Sequence, residues 1–391
     1  RDAVRLALVE SPELTVVRQR REIAQAGIVL ARLYPHNPML SLTPRACAGP
    51  QTAGIIEPFT IETSLTLEID RKEQRRLRRQ VAQCALSRTE WEVAAEELAV
   101  VGKALRAFNT TLYREQKLRL LGEQVQLAQR SLADVEKLHE KRKEKLPAGE
   151  RVLLQFEIQE AKAQEVAGRG PLVAAEQEFR QVFGRVRTPA IQGVLQLTDE
   201  DHAVADLETQ ALTARPDLRA RQAAHAEALA ALGLEQASRF GNPVFGPSYG
   251  TQEAAAHYIG VTITFGLPMC NRKQGEIRLR EAELHRAALE IGQLEIQIRQ
   301  EVSAALARIN QVQDVVRLYR DEYLPALRAR LQELQRLYLE DDPAVDVQQV
   351  LELFRRLLKA RESYLDALYE HAQLKVDLAL AAGDVELAFN P

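Results

Sequence analysis

Apolar and polar residues alternate in two stretches of this chain and recur every three or four residues almost everywhere else. In the first alternating stretch, Phe59, Ile61, Leu65, Leu67 and Ile69 share one face with Thr63, and Thr60, Glu62, Ser64, Thr66 and Glu68 share the other. In the second, Ile259, Val261, Ile263, Phe265 and Leu267 face one way, and Tyr258, Gly260, Thr262, Thr264 and Gly266 the other. A period of two predicts β-strands from Phe59 to Ile69 and from His257 to Leu267. Each run has roughly the 9–11 residues that a tilted strand needs to cross a bilayer, and apolar-out, polar-in alternation is what a barrel wall in lipid requires.

The two strands sit at equivalent places in a duplicated chain. Ser11-Pro12-Glu13-Leu14 opens a helical stretch that ends at Asn37-Pro38, and Arg215-Pro216-Asp217-Leu218, 204 residues later, opens another that ends at Asn242-Pro243. Each Asn-Pro is followed by a hairpin, a strand of period two and a long amphipathic helix, the mark of a repeat architecture. The expected division is a first repeat over 1–184, a linker over 185–206 and a second repeat over 207–391. The first holds a helix over Asp2 to Leu33, a hairpin over 37–70, a long helix over 71–146 and a half-length helix over 150–183. The second holds a helix over Leu207 to Arg239, a hairpin over 242–268, a long helix over 271–340 and a half-length helix over 344–382.

The long helices carry a coiled-coil seam. Ile298, Val302, Ala305, Ile309, Val312, Val316, Tyr319 and Tyr323 are spaced four and three in turn, and Leu98, Val101, Leu105, Phe108 and Leu112 repeat the phase 204 residues earlier. That spacing predicts left-handed packing of neighbouring helices. At 1.5 Å per residue a helix of this length would reach about 105 Å, about twice the length of the helices beyond the Pro-Ala turns at 147–148 and 343–344. Pro325 lies inside the second long helix and predicts a bend there, because it removes one ladder hydrogen bond.

Two hairpins supply four strands, too few to close a barrel, and open strand edges are not tolerated in lipid. Closure therefore requires several copies of the chain, and three copies would supply twelve strands. The fold class is mainly α with a small β part: long coiled-coil helical hairpins plus two β-hairpins per chain.

Composition narrows the function classes. The 391 residues carry 52 Lys and Arg against 55 Asp and Glu, a net charge of −3, which makes nucleic acid an unsuitable partner. No stretch approaches 18 consecutive apolar residues, so any membrane span must be β. Cys47, Cys84 and Cys270 have no metal-type spacing, and the seven histidines form no paired arrangement. No cofactor or metal site is expected, and no nucleophile, base and orienter cluster points to an enzyme. A start at Arg1 rather than Met is compatible with a removed leader.

These residues resemble the TolC-type outer-membrane efflux factors over nearly the whole chain. The likeness rests on Asp2-Ala3-Val4, Ala7-Leu8, Ser11-Pro12-Glu13-Leu14, both Asn-Pro junctions and Arg215-Pro216-Asp217-Leu218. The segment from Leu267-Pro268 through Asn271-Arg272 to Gln274-Gly275 looks like the strand-to-helix junction of the cobalt-zinc-cadmium and copper-silver export branch, which singles out Pro268, Asn271, Arg272 and Gly275. The first junction, Glu68-Ile69-Asp70-Arg71-Lys72, lacks that proline.

The resemblance implies a homotrimer with a twelve-stranded β-barrel in the outer membrane of a Gram-negative-type envelope and a twelve-helix α-barrel crossing the periplasm. It implies a passive exit duct of a tripartite efflux system serving metal or drug resistance. The implied partners are a periplasmic adaptor protein, an inner-membrane pump driven by protons, and outer-membrane lipid. The tips of the helix hairpins would close the duct and contact the adaptor. They map to Pro147, Ala148 and Gly149 and to Pro343, while Asp341, Asp342 and Asp346 would form a cation-favouring entrance. The plainer reading of Asp342-Pro343 is a helix N-cap followed by a first-turn proline. Two alternatives accompany the efflux duct: an outer-membrane duct for type I secretion, and a soluble coiled-coil scaffold.

Overall fold

The computed structural model describes residues 2–46, 59–141, 148–184, 193–197, 203–252, 256–269, 271–339 and 347–389. Among them, helices α1 (Asp2–Glu10) and α2 (Pro12–Arg32) lead into strands β1 (Met39–Ala46) and β2 (Phe59–Glu68), then α3 (Lys72–Lys141) and α4 (Ala148–Phe183). The same order follows again: α5 (Val204–Ala214), α6 (Pro216–Ala237), β3 (Val244–Gln252), β4 (Ala256–Thr264), α7 (Gln274–Arg317), α8 (Leu324–Leu339) and α9 (Val347–Ala382).

Three helices are interrupted where the sequence expectation ran them through, each next to a proline. The single helices expected over Asp2 to Leu33 and Leu207 to Arg239 are each broken before a proline, at Ser11 and at Arg215. A residue preceding proline is pushed out of the helical region, and Arg215 adopts φ −62, ψ 122. Proline then opens the following helix, where its missing N–H goes unneeded. The third change is in the long second helix. A π-helical turn at Leu318–Tyr323 separates α7 from α8, and the Leu324 amide reaches back five residues to the Tyr319 carbonyl just ahead of Pro325.

That turn also shifts the seam. Ile298, Val302, Ala305, Ile309, Val312 and Val316 are all buried, as the heptad requires. One extra residue in the π turn rotates everything beyond it, so Tyr323 is 45% exposed and Leu324 only 5%. From Leu324 the pattern resumes at Leu331, packed with Leu357 and Ala360 of α9.

The chain forms two units by its internal contacts. One comprises Arg1–Val17, Ala95–Arg215 and Ile296–Pro391; the other comprises Arg18–Ala94 and Pro216–Glu295. In the first, Ala7, Leu14, Val100, Ala104, Ala107, Phe179 and Phe183 form one buried cluster, and Val101, Leu105 and Val376 form another. Half-buried polar contacts join α3 to α9 beside them: Lys117 Nζ lies 2.8 Å from Glu362 Oε1, and the Tyr113 hydroxyl donates to Asp366 Oδ1 at 2.6 Å. The rings of Tyr113 and Tyr369 stack with centroids 4.4 Å apart.

Both half-length helices in this unit end on a glycine with positive φ, Gly184 at 61 and Gly383 at 72. After α9 the Gly383 amide donates to the Leu380 carbonyl and the Asp384 amide to that of Ala379, a Schellman stop.

The second unit holds the sheet and the helix segments next to it. Its strands run β1-β2-β3-β4, each antiparallel to its neighbour, so the two hairpins are joined through β2 and β3. Ion pairs between Arg221 and Glu290 and between Lys273 and Glu235 link its helices and the second junction.

Candidate membrane-facing sheet and its helix junctions

Strand register decides which side chains share a face. Leu40 pairs with Leu65, Pro44 with Ile61, Leu67 with Phe245, and Phe245 with Ile263. Because side chains alternate, one face of the whole sheet gathers the leucines and Pro44 of β1, Phe59, Ile61, Leu65 and Leu67 of β2, Phe245, Pro247 and Tyr249 of β3, and Ile259, Val261 and Ile263 of β4. Thr63, Thr251 and His257 are its only polar members among the described strand residues. Among the described residues no element of the unit covers this face: Ile259 is 88% exposed, and Leu40, Leu42, Leu65, Phe245, Val261 and Ile263 are all exposed. Aromatic rings mark its two ends. Tyr249 stacks on His257 and shares a 2.7 Å hydrogen bond with it toward the hairpin tips, and Phe245 sits toward the helices.

The opposite face is mainly polar, with small side chains across its middle. Ser64 pairs with Ser248, and Ser248 with Gly260, giving a row of short side chains across three strands. Arg45 and Glu62 form an ion pair at 3.1 Å on that side. Between β2 and β3 the ladder is interrupted opposite Gly246-Pro247, where Pro247 offers no donor. The outer strands β1 and β4 have no further partner among the described residues.

β4 stops at Thr264 rather than Leu267. Continuing the ladder would bring Phe265 opposite Pro243, which has no N–H and whose carbonyl already accepts the Ile69 amide at 2.8 Å. Phe265 and Leu267 nevertheless remain exposed.

The junctions to the long helices are built differently in the two halves. In the second half, the Asn271 side chain accepts the Lys273 amide at 2.8 Å, Arg272 Nε donates to the Pro268 carbonyl at 3.2 Å, and the Gln274 side chain accepts the Arg272 amide at 2.8 Å. Lys273 takes φ 57 and its ammonium meets Glu235 at 2.8 Å. Thus Pro268, Asn271 and Arg272 converge on one turn that starts α7. Gly275 is a helical residue with open space around it.

In the first half, where the proline is missing, Asp70 does this work. Its side chain is fully enclosed, at 0% exposure, and accepts both Nη atoms of Arg78 at 3.0 and 3.2 Å. The Tyr34 hydroxyl accepts the Asp70 amide at 3.0 Å and donates to the Glu68 carbonyl at 2.7 Å. Gln74 accepts the Arg71 amide and donates to the Ala237 carbonyl, and Asn242 donates to Glu68 at 3.0 Å. Sequence reasoning missed Tyr34, Asp70, Gln74 and Arg78. Only the Asn242-Pro243 junction and the missing proline pointed to this place.

Ala148 and Gly149 lie in the first turn of α4 instead of before it. Pro147, Asp341, Asp342, Pro343 and Asp346 fall outside the described residues, as do Cys47 and Cys270. Among the described residues no group of His, Cys, Asp or Glu could hold a metal ion, and no helix is long and apolar enough to cross a membrane.

No protein-family profile and no curated protein matches the chain. Solved structures do. The chain is similar to CusC, described as a transmembrane channel, at TM-score 0.78 and 19% identity, covering 98% of this chain and 91% of that one. The Campylobacter jejuni CmeC outer-membrane channel aligns at TM-score 0.76 and 14% identity over 98% and 85%. The outer-membrane protein VceC of Vibrio cholerae aligns at 0.74 and 17% over 98% and 95%. At these identities the likeness establishes the fold, which spans almost the whole chain.

Proposed function

We propose that this protein is the outer-membrane exit duct of a tripartite efflux system. The reading rests on one observation above all. Among the described residues, a four-stranded sheet presents a continuous, uncovered apolar face, a polar face behind it, and two outer strands without partners. In water such a sheet would be an aggregation site; in lipid, with its edges paired to other copies, it is a barrel segment. Three copies give twelve strands, with the apolar face toward lipid and the Ser64 and Ser248 row toward the lumen.

The rest follows from the resemblance of the fold to outer-membrane channels. The duct would be a homotrimer that conducts passively, supplied by an inner-membrane pump through a periplasmic adaptor docking at the helix tips near Pro147, Ala148, Gly149 and Pro343. It would span the outer membrane and reach into the periplasm. Asp341, Asp342 and Asp346 would ring the entrance and favour cations. The likeness to the cobalt-zinc-cadmium and copper-silver export branch, and with it metal export, belongs to this proposal through Pro268, Asn271 and Arg272.

Two measurements test it. The protein extracted in detergent from the outer-membrane fraction should have the mass of three chains by light scattering; a water-soluble monomer would sink the proposal. In planar bilayers, replacing all three tip aspartates with Ala should raise conductance or weaken block by divalent cations. An unchanged single-channel record removes the aspartate gate and leaves the duct standing.

A further inference from the structure

Immediately beyond the apolar face of the sheet, the chain turns strongly basic. Ile69 closes the apolar run, and Arg71, Lys72, Arg75, Arg76, Arg78 and Arg79 follow with Glu73 as the single acid among them. Arg78 is taken up by Asp70. Lys72, Arg75, Arg76 and Arg79 recur at the spacing that lines one face of α3. Among the described residues no carboxylate pairs with any of these four, nor with Arg71 or Arg239.

The fold does not explain this charge. Like charges three and four apart repel, and cations in the first turns of a helix oppose its dipole. Folding would favour the reverse sign here, so the stripe is a cost to α3 that an external anion would relieve. The aromatic residues beside it indicate what kind of surface is involved. The guanidinium of Arg71 lies 5.9 Å from the ring centre of Phe240, and that of Arg239 lies 5.8 Å from it on the same ring. Arg75 lies 5.4 Å from the Tyr34 ring. Phe240 is half exposed. Exposed rings paired with cations, at the border where an apolar face ends, are how proteins seat themselves at the level of lipid headgroups.

We infer that Lys72, Arg75, Arg76 and Arg79, with Arg71 and Arg239 around Phe240, form a collar that binds the headgroups of anionic phospholipids at the helix side of the sheet. The inference rests on the membrane reading above, because it places the collar at the edge of the bilayer. Its consequence is a preference for anionic lipid and a fixed depth of insertion. Each Lys or Arg near an anionic leaflet contributes roughly a fivefold factor at low salt.

The experiment compares insertion into vesicles of phosphatidylcholine alone and vesicles containing phosphatidylglycerol, for the wild-type protein and K72Q/R75Q/R76Q/R79Q. A variant with four exposed arginines changed elsewhere, R299Q/R308Q/R328Q/R336Q, serves as the control. The wild type and the control should prefer the anionic vesicles. The collar variant should insert into phosphatidylcholine as the wild type does and lose the preference by roughly several hundredfold. Collar and control variants that behave alike would overturn the proposal. So would displacement of the lipid by inorganic phosphate, which would indicate a free-anion site. Should the collar variant fold poorly, the lysine and arginine exchange K72R/R75K/R76K/R79K must keep the preference, and added salt must abolish it in the wild type. Wild-type protein that enters neither vesicle defeats the membrane reading itself, a result separate from the loss of lipid preference.

Discussion

Gly184 sits against Pro12: a Cβ placed on that glycine would lie 2.7 Å from the proline Cγ. The equivalent glycine of the second half, Gly383, packs in the same way against Arg215, the residue before Pro216, with an imagined Cβ 3.2 Å from the arginine Cα. Each half-length helix thus stops where the proline break of another helix leaves room only for hydrogen. Gly184→Ala should cost about 1–2 kcal/mol, from left-handed backbone strain and the clash together. Thermal unfolding in detergent checks it, and a melting temperature equal to the wild type would show that the break can move aside.

Asp70 is the deeper constraint on the first junction. Asn in its place would keep the size but leave the Arg78 guanidinium facing a neutral amide. Removing one partner of a buried pair costs about 3–5 kcal/mol, and Arg78 is partly exposed, which places this case near the lower end. Chemical denaturation of Asp70→Asn should show it. Asp217→Asn, whose carboxylate caps its own helix by accepting the Leu218 amide, should cost well under half as much.

The Lys117 cluster sets an alkaline limit. Burial opposes the ammonium charge, but hydrogen bonds to Glu362 and Tyr113 outweigh it and hold the Lys117 pKa above its ordinary range. Burial and the bond to Asp366 push the Tyr113 hydroxyl up as well. Both groups bind their proton more tightly when folded, so their contribution is complete below about pH 10, the unfolded values, and fades as pH rises through the folded ones. Stability measured between pH 6 and 9 should therefore be flat with respect to this cluster and fall beyond about pH 10. Lys117→Met should reduce stability by about 1 kcal/mol at neutral pH and flatten the alkaline fall.

The two faces of the sheet should respond oppositely to the same substitution. Val261→Arg places a cation on the apolar face and should cost about 2–4 kcal/mol of membrane folding, read as lost outer-membrane yield. Ser64→Arg on the other face should assemble normally and shift ion selectivity in planar bilayers. Equal tolerance at the two positions would contradict the assigned orientation.

Much of this architecture could be read from residue order alone. Alternation placed β2 and most of β4, and the heptad from Ile298 to Val316 marked the buried seam, because both depend on local periodicity. The π turn before Pro325 was not legible. Proline predicts a lost hydrogen bond, but whether the helix bends or inserts a residue depends on what packs around it. The end of β4 at Thr264 depended on Pro243 sitting across the ladder, a pairing unknown before the register. Asp70 and Arg78 were missed because a bidentate pair eight residues apart has no sequence signature, whereas Asn271 and Pro268 stood out as a compact motif. The tip aspartates remain a sequence-level proposal.

The outer strands β1 and β4, without a further partner among the described residues, also bear on how the protein is made. Among the described residues the sheet has no further strand beside it and its apolar face is exposed, so as a barrel segment a single chain would have nowhere stable to rest. On the proposed duct reading, insertion and association would proceed as one event whose rate depends on the supply of fresh chains, and any chain arriving early would need an escort across the envelope to keep those edges occupied.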